Sequence, residues 1–319
     1  MTKIAACQIT STPDVDHNLK ISETVIRGAV KDGAKVIFLP EAADFITDSA
    51  HECFLLSAPI SNHTYLKGIQ SLAKELQVTI LVGIHDLPEP GSAEDKEEEE
   101  GSERVFNTQV VVGTHGQIVE IYRKVHLFDV KLKGDKGETS GPNGPSEDTD
   151  QPEKRTGESL RIRPGKKICD PVSTVAGKVG LEICYDIRFP EIHSILRDKG
   201  ADIIALPSAF TLKTGKAHWA TLLKSIAITY QVFVVAAAQV GAHTSSRSSW
   251  GETLVFSPWG TELGRLRSMD DVPEDERSNP LKPEFVIVDL NLGEIEEVRG
   301  MIPVEGQRRI DVYNVPREV

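Results

Sequence analysis

Three residues of contrasting chemistry stand where apolar runs stop: Glu41 after "VIFLP", Lys124 after "IVEIYR" and Cys184 after "VGLEI". A carboxylate, an ammonium and a thiol make a complementary set. A free thiol has a pKa near about 8.5 and is mostly protonated at neutral pH, so it needs help to attack as a thiolate. Glu41 is the candidate base, taking the proton as attack proceeds. Lys124 is the candidate cation for the thiolate and for the oxyanion that forms when a carbonyl is attacked. Water activated by Glu41 would then hydrolyse the thioester. Plainer readings stand beside these: a loop carboxylate, a snorkelling surface lysine and a buried structural thiol. His126 and His218 offer a Cys–His alternative, but no local cysteine-protease signature surrounds Cys184.

The elements that must position these residues alternate as in an α/β protein. Strands are expected at Lys3–Ile9, 35–40, 78–85, 105–113, 118–123, 201–207 and 284–290, with another ending at Cys184. Helical spacing marks 16–31, 63–76 and 215–230, and Pro190 suits a first helical residue. The run 232–240 is continuously apolar, and "TLVFSPWGTELGRL" reads as strand, turn, strand. Each of the three chemical residues thus follows the C-terminal end of a strand, the side where open α/β sheets bind ligands. If those strands are neighbours, the side chains meet in one pocket. "DGAKVIFLPEAADF" and "KGADIIALPSAFTL" echo one another, as two similar halves packed sheet to sheet would.

Composition narrows the classes. The 319 residues include 39% hydrophobic and 26% charged types, ordinary for a globular chain. No apolar run approaches the ~20 residues of a membrane span, and the start shows no signal-peptide pattern, so a cytoplasmic location is expected. The net charge of −12 sits mostly in residues 92–104 (−5), 133–158 (−3) and 268–283 (−3). The rest is nearly neutral. That charge reads as solvated loops inserted near 92–104, 133–157 and 268–283 of a single domain spanning 1–319. No basic patch supports nucleic-acid binding. Four widely spaced cysteines with no C-x-x-C pair argue against zinc or a disulfide scaffold.

"FLPEAADF", "YRKVHLFD" and "GLEICYDIRFPE" together resemble the three signature segments of the nitrilase (carbon–nitrogen hydrolase) superfamily, and "PSAFTLKTGKAHW" and "PWG" extend the similarity. The resemblance implies a four-layer α-β-β-α sandwich that dimerises with a second copy, and a Glu-Lys-Cys triad at Glu41, Lys124 and Cys184. The family's E-S-x-x-x-x-P-G pattern matches "ESLRIRPG", which adds Glu158 as the residue that holds Lys124 and polarises the substrate amide. From charge alone Glu158 would fall in the solvated insertion. "SAFTLKTGKAHW" is similar to the branch that hydrolyses deaminated glutathione, with Ser208 and Thr211 as the positions that separate it from the ω-amidases. The implied reaction is hydrolysis of a carboxamide in a small, carboxylate-bearing substrate, releasing ammonia or the amine, with no metal or organic cofactor. Arg188, four residues after the nucleophile, suits a bidentate carboxylate contact, or a structural ion pair with Glu191 or Asp186. Phe210, Thr211 and Lys213 would line the pocket.

Several positions depart from that branch. Ile226 and Thr229 replace a charged pair, Glu252 and Thr253 replace His-Ser, and Ser257 replaces Asp. Glu182 stands two residues before Cys184, where residues on an extended strand face the same way. A carboxylate there raises the thiol pKa unless it is paired or turned away. The departures near Glu182 and Glu252 keep open a weakened nitrilase-fold interaction protein; within the enzyme reading, an ω-amidase stays open as well.

Overall fold

The first strand, Thr2–Ile9, sets the layers. Side chains alternate across a strand, and here both faces are buried. Ile4 and Ala6 pack toward a second sheet, among Leu181, Ile203 and Phe233. Ala5, Cys7 and Ile9 pack toward helices, among Val25, Ile26, Tyr65 and Ile69. The computed structural model describes residues 1–96, 102–129 and 157–313. Most of the second charged stretch and part of the first therefore lie outside the described residues.

One sheet runs Ser248–Trp250, Ala238–Ala242, Thr2–Ile9, Val36–Phe38, Thr79–Leu87, Val105–Val112, Ile118–Arg123 in spatial order, with Glu284–Leu290 antiparallel to Thr2–Ile9. The other runs Glu262–Arg265, Leu254–Phe256, Phe233–Ala236, Ile203–Ala205, Gly177–Leu181, Val172–Thr174. Helices Val15–Lys31 and Thr64–Leu76 cover the first sheet; Pro190–Asp198 and Leu212–Tyr230 cover the second. The result is the α-β-β-α sandwich.

Local chemistry fixes the helix ends. Asp14 caps Val15–Lys31 by accepting from the His17 N–H at 2.9 Å. Pro190 begins its helix, as its fixed φ favours. Thr211 caps Leu212–Tyr230 by accepting from the Thr214 N–H.

The apolar run 232–240 is two strands, not one. Phe233–Ala236 belongs to the second sheet and Ala238–Ala242 to the first, with the change of sheet at Ala237. Both segments are buried, so hydropathy carries no mark of the crossing. In the third charged stretch, Met269, Val272 and Leu281 are buried in the inter-sheet core while the acids face outward. That segment is anchored by apolar side chains that a reading of its charge passes over.

Candidate active site

Glu41 lies three residues beyond Val36–Phe38, on a loop bonded to the next strand. Leu39 N–H donates to Leu81 O at 2.8 Å, Ala43 N–H to Gly83 O at 2.8 Å, and Gly83 N–H to Pro40 O at 3.1 Å. The approach is so close that a Cβ on Gly83 would lie 2.5 Å from Glu41 Cα and 2.7 Å from Pro40 O. Gln239, from beyond the sheet crossing, holds the same loop by donating Nε2 to Glu41 O at 3.0 Å. Asp44 anchors the loop's far side, accepting from the His85 N–H at 2.7 Å and the Phe45 N–H at 2.9 Å.

Lys124 directly follows Ile118–Arg123 and is only 2% exposed. Its Nζ donates to Glu41 Oε1 at 3.1 Å and to both Glu158 oxygens at 2.9 Å. A buried ammonium is costly unless paired, and here two carboxylates pair it. Burial pushes its pKa down, but Glu158 and Glu41 override that and hold it well above the usual lysine value. Glu158 also accepts from Phe128 N–H at 2.8 Å and Asn107 Nδ2 at 3.2 Å. Burial works against its charge, yet Lys124 keeps its pKa below the usual carboxylate value. The strands leading to Glu41 and Lys124 are not neighbours; two others lie between them. Asn107, on one of those, spans the gap by donating Nδ2 to Glu41 Oε1 at 2.7 Å.

Cys184 comes from the opposite sheet. Its strand, Gly177–Leu181, stops three residues earlier than the sequence suggests, and Cys184 begins a tight 3-10 turn, Cys184–Arg188. Its φ is +47°, a left-handed conformation uncommon for a side-chain-bearing residue and often found at functional turns. The turn is tied down twice: Cys184 N–H donates to Pro207 O at 3.0 Å, and Asp186 accepts from Ile183 N–H at 2.9 Å. Asp186 also takes Tyr122 Oη–H at 2.8 Å and His126 Nδ1–H at 2.7 Å, joining the cysteine turn to the lysine segment. Burial, with Glu41 beside it, holds the Cys184 thiol well above the ordinary thiol range, against the pull of Lys124 and the Ala209 N–H. The resting group is therefore a thiol rather than a thiolate.

Glu182, the suspected intruder, is paired. It is fully buried; its Oε1 bonds His193 Nδ1 at 2.7 Å, its Oε2 has no hydrogen-bond partner among the described residues, and burial raises its pKa above the usual carboxylate value. Neither proposed alternative base is available to the cysteine: His126 is held by Asp186 and stacks on Phe189 at 3.6 Å, and His218 accepts from Arg188 at 3.1 Å.

The expected binding residues divide. Arg188 pairs with neither Glu191 nor Asp186 among the described residues; it lies 5.8 Å from the Tyr185 ring and 6.0 Å from that of buried Phe210. Ser208 is fully buried, gives its hydroxyl to Leu206 O at 3.2 Å and pairs with Ala238 beside the sheet crossing. Thr211 is occupied as a helix cap, and Lys213 is exposed. Glu252 bonds Trp250 Nε1 at 2.8 Å, Thr253 bonds the Ala238 N–H at 2.9 Å, and Ile226 packs in the core. These departures are thus absorbed as structure. Asn107, Asp186 and the Ala209 N–H were missed by sequence reasoning. Asn107 and Asp186 carry no spacing signal, and a backbone N–H has none to carry. Among the described residues, no cluster of three or more His, Cys, Asp or Glu is arranged to hold a metal.

The sequence profile described as carbon–nitrogen hydrolase matches residues 3–299. The chain is 37% identical over 310 residues to the deaminated glutathione amidase of Bos taurus, covering 97% of this chain and 83% of that protein. It is 34% identical over 301 residues to the deaminated glutathione amidase of Synechocystis sp. (strain PCC 6803 / GT-S), covering 94% and 95%. The crystal structure of Saccharomyces cerevisiae Nit3, a member of branch 10 of the nitrilase superfamily, superposes with a TM-score of 0.73 at 25% identity, covering 97% and 96%.

Proposed function

This chain belongs to the carbon–nitrogen hydrolase family and is a hydrolase of non-peptide C–N bonds, and we propose that it cleaves the amide of deaminated glutathione through a thioester on Cys184. The observation that carries the catalytic reading is the Glu41–Lys124–Glu158 network, closed within hydrogen-bond distance beside a strained Cys184.

Glu41 Oε1 receives both Lys124 and Asn107, while its Oε2 has no hydrogen-bond partner among the described residues. That free oxygen is the base. It takes the thiol proton as sulfur attacks the amide carbon, then delivers it to the departing nitrogen. The oxyanion gains its charge beside the Lys124 ammonium, which Glu158 holds in place. Water, deprotonated by Glu41, adds to the thioester and releases the acid. Arg188 binds a substrate carboxylate above the Phe210 and Tyr185 rings. A cysteine nucleophile must stay reduced, which fits a cytoplasmic setting. The bond between Glu182 and His193 supports the reading of an active enzyme over a weakened one.

Purified protein assayed with deaminated glutathione, α-ketoglutaramate and an aliphatic nitrile tests this reading. Deaminated glutathione should give the highest kcat/KM by about tenfold or more, a margin of roughly 1.4 kcal/mol. Faster turnover of α-ketoglutaramate would make the protein an ω-amidase. No turnover of any of them would leave the fold as an interaction module.

A further inference from the structure

The chemistry above makes no use of Glu182 and His193, yet together they reach the nucleophile's turn at both ends. Glu182 stands two residues before Cys184 and is fully buried. His193, on helix Pro190–Asp198, is 2% exposed. Its Nδ1 lies 2.7 Å from Glu182 Oε1, and its Nε2 lies 3.2 Å from the carbonyl of Ile187, inside the turn Cys184–Arg188. The ring is also held from outside. Tyr230 meets it edge-on at 5.4 Å and is itself fixed by donating its hydroxyl to Pro190 O at 2.9 Å.

These two bonds dictate where hydrogens sit. A carbonyl only accepts, so Nε2 carries a hydrogen. Nδ1 and Glu182 Oε1 then need one proton between them: either an imidazolium donates to a carboxylate, or a carboxyl donates to a neutral ring. Without that proton two lone pairs would face each other at 2.7 Å. Glu182 Oε2 is sealed from solvent with no hydrogen-bond partner among the described residues, which penalises a bare carboxylate. Burial, helped by Asp186, raises Glu182 above the usual carboxylate value against the pull of His193. Burial pulls His193 down, but Glu182 holds it above the usual imidazole value. Both directions keep the proton in the pair.

Resting on the amidase reading above, we propose that Glu182 and His193 form a clamp across the Cys184 turn, closed by one shared proton, with His193 as a positioning residue for the sulfur. Cys184 sits at φ +47°, a conformation that persists only where the surroundings over-determine it. Pro207 O holds the turn from the sheet, and Asp186 ties it to Tyr122 and His126 beside Lys124. The clamp adds a tie from the helix side, joining a residue before the sulfur to one after it. A misplacement of about 1 Å costs on the order of a hundredfold in rate. The clamp therefore acts on kcat more than on substrate affinity.

The test compares full-length wild type with Glu182→Gln, Glu182→Leu and the double variant Glu182→Leu/His193→Leu. The readouts are kcat and KM on deaminated glutathione, iodoacetamide labelling of Cys184, and the melting midpoint. A glutamine N–H donates to Nδ1 in place of the shared proton, so Glu182→Gln should keep kcat within about twofold of wild type. Glu182→Leu breaks the clamp: kcat should fall about tenfold or more, with KM changed by about twofold or less. Labelling should quicken about threefold or more, because a loosened turn relieves the burial that keeps the thiol protonated. The double variant removes the buried polar pair altogether, so its melting midpoint should return close to wild type. Its kcat should stay low and its labelling fast, and it carries the test if Glu182→Leu alone misfolds. Recovery of kcat along with the melting midpoint would overturn the proposal, as would equal losses in Glu182→Gln and Glu182→Leu. So would labelling that stays at the wild-type rate in both clamp-breaking variants. No turnover of any amide by wild type would overturn the amidase reading instead, and the labelling rates would still decide the clamp.

Discussion

Glu41 and Lys124 act on the same thiol with opposite sign, and that opposition can be measured. Glu41 raises the Cys184 pKa and Lys124 lowers it. Glu41→Gln preserves an oxygen for Lys124 and Asn107, so the local bonds survive while the charge and the base are lost. Turnover should fall by about a hundredfold or more, the usual worth of a positioned base. Iodoacetamide labelling of Cys184 at pH 8 should nevertheless become faster, because more of the thiol is ionised. Lys124→Met should do the reverse to labelling and also slow turnover, mainly through kcat. It leaves two buried carboxylates without their cation, so it should cost about 3 kcal/mol of stability or more. Labelling of wild type and both variants, followed by peptide mass spectrometry, reads all of this. If Glu41→Gln slows labelling as well as turnover, the two residues do not share the thiol in this way. Cys184 should also label before Cys7, Cys53 and Cys169, which are buried.

At the scale of elements, the catalytic loop depends on a strand that contributes no chemistry. Gly83 allows the Glu41 loop to sit against Thr79–Leu87, and a methyl group there would meet backbone rather than a flexible side-chain end. Gly83→Ala should therefore cost about 1–3 kcal/mol and reduce kcat, with a lowered melting midpoint beside the kinetics. Unchanged kinetics would show that the loop's position is not critical. Much of this level is visible in the sequence. Hydrophobic periodicity locates Val15–Lys31, Thr64–Leu76 and the hairpin of Val105–Val112 with Ile118–Arg123. Helix Ala50–Leu56 was overlooked although Ser49 caps it and Glu52 follows three residues on, a usable signal. Helix Gly293–Met301 starts on a glycine after an uncapped Leu292, so it announces itself weakly. The +47° φ of Cys184 is not legible in the sequence, because the turn is held by the long-range bond from Cys184 N–H to Pro207 O.

The whole molecule brings its site together from both sheets, which is why strand-by-strand reading named the residues but not their contacts. Glu41 and Lys124 rise from one sheet and Cys184 from the other, with Gln239 and Asp186 tying the segments together. The outer helix Leu212–Tyr230 leaves Ile228 48% exposed, with the turn bearing Trp259, 54% exposed, packed next to it. The expected homodimer would cover this apolar pair. Sedimentation velocity should then show a dimer at micromolar concentration that Ile228→Glu converts to monomer; a monomeric wild type would contradict it. On the proposed mechanism, all of this architecture serves a covalent step on one sulfur. The most direct measurement is acid quenching during turnover of deaminated glutathione, followed by mass spectrometry of the peptides. The peptide containing Cys184 should carry the acyl part of the substrate as a thioester, and Cys184→Ala should show neither adduct nor turnover. An adduct on another residue, or turnover retained in Cys184→Ala, would contradict the account.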